Sequence, residues 1–168
     1  MVVQDAMAKN VSVCRPENNL AEVAATMWQR RCGSLPVVDA AGSVLSVITD
    51  RDICIALGTR NLRASEVQVK DVSLARVFSC EAKDDVLLAL QTMAAQNVRR
   101  LPAFDDGRLV GIISIDDLLM HAERRGGKSG IAYEDVVEAA KTILRNRSRD
   151  SVHEPAELIA LEHAVGTI

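Results

Sequence analysis

The sequence predicts a mixed α/β (α+β) fold: two βαββα repeats packed with pseudo-twofold symmetry, followed by a C-terminal helical tail. Three observations carry this. The 168-residue chain matches itself when slid by 66 positions, laying Cys14 on Cys80, Met27 on Met93, Leu35-Pro36 on Leu101-Pro102 and Asp39 on Asp105. Leu20, Val23, Ala24 and Met27 recur as Val86, Ala89, Leu90 and Met93, the i, i+3, i+4, i+7 stripe of one helix face. The offset then drops to 65 at a turn that reads AAGS in one copy and DGR in the other, where a deletion is tolerated.

Each copy reads in the same order. A short extended piece is expected near Val11–Cys14 and Val77–Cys80, then a helix near Leu20–Arg31 and Asp85–Gln96. A hairpin follows, its turn carrying Gly42 or Gly107, and a second helix closes each unit near Asp50–Leu57 and Ile115–Arg124. The hairpin strands VLSVIT and LVGIIS are almost continuously apolar, so both sheet faces are expected to be covered. The boundaries expected are 1–60 for the first repeat, 61–70 for a linker, 71–125 for the second repeat, 126–130 (GGKSG) for a glycine-rich hinge and 131–168 for the tail. In the tail, Val136, Val137, Ala140, Ile143 and Leu144 form an apolar helical face, and ELIALEHAV beyond Pro155 predicts another short helix.

Composition bounds the function. With 48% hydrophobic and 26% charged residues the chain can pack a core, and only 2% aromatics leaves that core to Val, Ile, Leu and Ala. A net charge of −3 and scattered Trp28, Tyr133, Phe78 and Phe104 argue against nucleic acid as a partner. No apolar run reaches the roughly 18 to 20 residues of a membrane span. The opening MVVQDAMAKN has neither the basic start nor the apolar stretch of a signal peptide, and Cys14, Cys32, Cys54 and Cys80 form no CxxC. A cytoplasmic location with reduced thiols is therefore expected. His121, His153 and His163 share no ligand spacing with those cysteines, so no metal site is expected.

One constellation carries chemistry. At the same place in both copies an apolar strand ends in a hydroxyl residue with an aspartate three positions on: Thr49-Asp50-Arg51-Asp52 and Ser114-Ile115-Asp116-Asp117. The hydroxyl can cap the following helix or donate to a phosphate, and the helix N-terminus favours an anion. The aspartate can accept both hydrogens of a ribose 2′,3′-diol. The bland alternative is a capping box, S/T-x-x-D before a helix, which needs no ligand. Its recurrence at equivalent positions makes the ligand reading the more specific.

The segments LPVVD…VITDRD and RRLPAF…GIISIDD, with the lead-ins DAM and KDVS, resemble a tandem pair of cystathionine-β-synthase (CBS) domains, a Bateman module, over roughly residues 1–123. The resemblance implies a regulatory sensor with two clefts for an adenosyl ligand, AMP or ATP first, then S-adenosylmethionine or NAD(H), and no cofactor of its own. It implies phosphate and ribose contacts from Thr49, Asp52, Ser114 and Asp117, and enclosure of adenine near Val13, Pro36, Cys80 and Pro102. Arg51 and Arg100 are candidate phosphate partners. A homodimer acting on a protein target in trans is expected, without membrane or nucleic acid; the alternative is a dimerisation or docking module that binds no ligand.

An enzyme is not expected. No histidine precedes His121, no GxSxG or HExxH occurs, and Gly127-Lys128-Ser129 ends a P-loop pattern whose first glycine position is Ala122. The two clefts are expected to be unequal, because Arg51 in the first motif is replaced by Asp116 in the second, and ATP should prefer the first.

Overall fold

The structure, a computed structural model, describes residues 1–72, 76–124 and 130–150, the last four as backbone only. Most of the glycine-rich hinge, its P-loop-like GKS included, and the short helix expected beyond Pro155 lie outside the described residues.

The chain opens with one helical turn, α1 (Val3–Ala6). The first repeat follows as α2 (Leu20–Arg30), β1 (Ser34–Val38), β2 (Val44–Thr49) and α3 (Asp50–Arg60). The second is β3 (Cys80–Glu81), α4 (Val86–Ala95), β4 (Arg100–Asp105), β5 (Arg108–Ser114) and α5 (Ile115–His121), and the tail forms α6 (Tyr133–Asp150). Helix boundaries follow local chemistry. Asn19 caps α2 by accepting from the Glu22 amide at 3.0 Å, and Asp85 caps α4 through the Leu87 amide at 2.8 Å. Arg31 and Asn97, 66 positions apart, both turn to positive φ (51° and 56°) just after these helices. The β4–β5 turn uses Asp106 and Gly107 at φ 49° and 73°, the left-handed pair of a two-residue hairpin.

The extended lead-in strands are shorter than expected, and proline explains why. Cys14 pairs parallel to β1, its amide donating to the Pro36 carbonyl at 2.9 Å while Val38 donates back to Cys14 at 2.8 Å. The next rung would need an N–H on Pro36, which has none, so the ladder ends at Cys14. Pro102 acts alike in the second copy, where β3 begins at Cys80.

The two cores do not follow chain order. Val3 and Ala6 are buried with Val86, Met93, Leu101 and Ile113 of the second repeat, while Val67 and Val69 are buried with Leu20, Leu35 and Ile48 of the first. The exchange obeys the 66-residue offset bond by bond. Val3 donates to Asp84 and Val69 to Asn18, each at 2.9 Å, and Gln4 donates to Ala82 as Lys70 does to Pro16. Each lead-in thus clamps the other repeat.

Both faces of the hairpins are covered along β1 and the middle of β4, where Ser34–Val38 and Leu101–Ala103 are buried in succession, whereas β2 and β5 alternate. Ser46 and Ile48, like Gly111 and Ile113, point into a core, while Val47, Thr49, Ile112 and Ser114 on the opposite face are half-buried. Those outward residues wall clefts between the repeats, Val47 and Ile112 with an apolar surface and Thr49 and Ser114 with a hydroxyl. The tail stripe is also corrected. α6 packs on α4 and α5 through Val136, Ala139 and Ile143, whereas Val137 and Leu144, expected on that face, are 45% and 62% exposed.

Candidate functional site

Both hydroxyl–aspartate pairs form capping boxes. Thr49 Oγ1 accepts the Asp52 amide at 3.2 Å and donates to Asp52 Oδ2 at 2.7 Å, which also accepts the Thr49 amide at 2.8 Å. Ser114 and Asp117 repeat all three bonds, at 3.2, 2.5 and 2.8 Å. The cap and the ligand reading are compatible. One carboxylate oxygen is saturated, and Oδ1 of each aspartate has no partner among the described residues, so it is open to a ribose hydroxyl.

The helix starts beside these pairs keep few free donors. The hydroxyl protons of Thr49 and Ser114 are already given to carboxylate. The Asp50 amide donates to Gly33 at 3.1 Å, the Arg51 amide to Asp50 Oδ1 at 2.8 Å, and the Ile115 amide to Arg99 at 3.0 Å. The start of each closing helix therefore offers an anion little, while guanidinium groups keep free donors.

Two clefts lie between the repeats, and each is composite. The first, about 450 Å³, takes Val47, Thr49, Asp50, Arg51 and Asp52 from the first repeat, and Arg76, Phe78, Asn97, Arg99, Arg100 and Pro102 from the second. The second, about 580 Å³, takes Ile112, Ser114, Asp116 and Asp117 from the second repeat, and Arg30, Arg31 and Ser34 from the first, with Lys9, Asn10 and Ser12 from the lead-in. The crossing of the lead-ins produces this geometry. Arg76 stacks its guanidinium 5.4 Å from the Phe78 ring centre, a cation–aromatic pair on the first cleft wall. The equivalent residues in the second cleft are Asn10 and Ser12.

Of the residues singled out in the sequence, Thr49, Arg51, Asp52, Arg100 and Pro102 meet at the first cleft, and Ser114, Asp117 and Arg100 at the second. Val13, Pro36 and Cys80 line neither. Val13 borders a separate hollow at the hairpin turns, and Pro36 lies within β1. Cys80 is buried and its thiol donates to the Pro102 carbonyl at 3.8 Å, as Cys14 does to Pro36 at 3.8 Å. Burial pushes Cys14 up to about 11; burial, with the charges of Asp84 and Glu81, pushes Cys80 up to about 12. Both thiols are inert packing groups at neutral pH. Sequence reasoning missed Lys9, Arg31, Arg76, Phe78 and Arg99. The repeat offset could have flagged 76–78 by its match to 10–12, but not their placement opposite Thr49.

Comparisons with known proteins agree with this fold. The CBS domain profile matches residues 3–59 and 69–124. The chain is 30% identical over 151 residues to the CBS domain-containing protein YhcV of Bacillus subtilis, covering 90% of this chain and 98% of that one. It superposes on the CBS-domain containing protein ATU1752 of Agrobacterium tumefaciens with TM-score 0.65 at 27% identity, over 71% of this chain and 98% of that chain. It shares its fold with the CBS domain pair of protein MJ0100, solved in complex with 5′-methylthioadenosine and S-adenosyl-L-methionine, with TM-score 0.64 at 24% identity over 71% and 94% of the two chains. No helix among the described residues is long and apolar enough to cross a membrane. The chain belongs to the CBS domain family and carries that regulatory domain twice.

Proposed function

We propose that this CBS pair is a sensor of adenosine-containing nucleotides, AMP or ATP, without a reaction of its own, that acts from the cytoplasm on a protein target in trans. One observation carries the reading: each cleft joins an aspartate with an open Oδ1 from one repeat to cations and apolar walls that include the other repeat. Asp52 and Asp117 accept ribose hydroxyls, and Thr49 and Ser114 hold those carboxylates in place. Arg51 and Arg100 face phosphate, and Pro102 contributes to the adenine wall. The MJ0100 pair's ligands favour a second reading, in which S-adenosylmethionine or another weakly charged adenosyl compound fills the same clefts. A melting-temperature panel of AMP, ATP, S-adenosylmethionine and NAD tests both. A ligand at a hundredfold excess over its Kd adds about 2.7 kcal/mol of stability. A flat response to all four refutes the sensor.

The module works as a homodimer. α6 buries the helical face of the second repeat, and the matching α2/α3 face of the first repeat is left with Trp28 at 85% exposure beside a hollow of about 870 Å³ lined by Ala24, Met27 and Ile53. A second copy of the chain covers it. Light scattering should give a dimer, and Trp28→Asp a monomer; a monomeric parent protein refutes the pairing.

A further inference from the structure

We propose that Arg100 couples the two clefts antagonistically, so that an anionic ligand in one weakens anion binding in the other. The inference rests on reading the clefts as nucleotide sites. Positions 34 and 100 are equivalent under the 66-residue offset, and they meet at the centre of the molecule, where Arg100 Nη1 donates to Ser34 Oγ. A strict duplication would place the same residue on both sides. Here Ser34 is buried, 7% exposed, and Arg100 is half-buried.

Arg100 lines both clefts. Gly33 does too, but it has no side chain to offer, which leaves Arg100 as the one side chain the two clefts share among the described residues. A guanidinium has five N–H donors in a rigid fork and a single positive charge. One donor is given to Ser34, and the rest can meet one phosphate bidentately. The first anion neutralises that charge, so a second meets an ion pair rather than a free cation and is repelled by the phosphate already bound. The sign is therefore negative, and by linkage the effect is the same whichever cleft fills first. A neutral ligand without phosphate does not sense it.

Titration calorimetry with ATP and with adenosine, on the whole chain and on Asp52→Ala, Asp117→Ala and Arg100→Ser, tests this. Each aspartate variant weakens one cleft about tenfold, so its tighter step reports the affinity of the other cleft while the weakened one is empty. In the parent protein the weaker ATP step should lie at least about fivefold below the weaker single-cleft affinity. Adenosine should bind in two steps that match its single-cleft values. Arg100→Ser, which places the first repeat's residue in the second, should make the ATP steps independent, and Arg100→Gln serves if the serine variant does not fold. ATP steps in the parent protein that match or exceed the single-cleft affinities overturn the coupling. Failure of both ATP and adenosine to bind overturns the nucleotide reading beneath it.

Discussion

The first and second clefts are built on one plan and differ in what stands opposite the capped aspartate. Sequence alone set Arg51 against Asp116 and made the first cleft the more cationic. Among the described residues each cleft lines up four cations and two carboxylates: Arg51, Arg76, Arg99 and Arg100 with Asp50 and Asp52, against Lys9, Arg30, Arg31 and Arg100 with Asp116 and Asp117. Asp116 also lies 3.6 Å from Arg99 in an exposed pair, which disposes of part of its charge. Charge therefore does not separate the clefts. Shape and surface do, because the first presents Phe78 under Arg76 while the second presents Asn10 and Ser12. Duplication preserved the capping boxes at Thr49–Asp52 and Ser114–Asp117 and let the wall opposite them diverge.

The largest expected effect breaks the comparison from the second side. A Cβ on Gly111 would collide with Met7 Sδ and sit 3.0 Å from the Ala8 carbonyl, in the segment where Ala8 and Ile112 exchange amide bonds at 2.9 and 3.1 Å. Gly111→Ala should cost about 1–3 kcal/mol in a urea titration. Because that segment leads into Lys9 and Asn10, the second cleft should lose affinity and the first should keep it. Equal loss at both sites would show that the clefts are not separately built.

Next come the aspartates. Asp52→Ala and Asp117→Ala should each weaken one cleft about tenfold, or 1.4 kcal/mol, with about 1 kcal/mol of stability lost with the cap. Calorimetry that finds both sites intact in either variant refutes the ribose role. Phe78→Ala sharpens the contrast further. It should weaken adenine binding about fivefold or more, on the scale of aromatic–base stacking, in the first cleft alone. If Asp117→Ala, in which the first cleft fills first, shows no response of its tighter step to that added change, the ring does not face the base.

The smallest effect concerns what the repeats share. Cys14 and Cys80 ionise in the folded protein near 11 and 12, against 9.0 for an unperturbed thiol. Below pH 9 both states hold these protons. Above it the unfolded chain releases them first, so stability should fall as pH rises from 9 towards 11. Urea midpoints across that range should decline, and Cys14→Ala with Cys80→Ala should flatten the slope. At pH 8, exposed Cys54 should react with a thiol reagent well before either buried one.

Much of this protein was written locally. A stripe at helical spacing, a hydroxyl with an aspartate three residues on, and Asp-Gly at a hairpin are short-range patterns, and they specified α2, α4, the capping boxes and the β4–β5 turn without any distant contact. The repeat offset, a property of sequence alone, also carried the pseudo-symmetry, and the LPVVD…VITDRD and RRLPAF…GIISIDD segments carried the family. What the sequence left open is long-range. Nothing local says that Val3 belongs in the second core and Val69 in the first, because an apolar residue is satisfied by any apolar partner. That exchange decides which residues face Thr49 and Ser114, so Arg76, Phe78, Lys9 and Arg31 became visible only in the folded chain. Apolar continuity in β2 and β5 could not say which face meets a core and which a cleft, since the two carry the same residue types. The meeting of Arg100 with Ser34 required the pseudo-twofold packing itself, which brings together side chains 66 residues apart that no pattern along the chain connects.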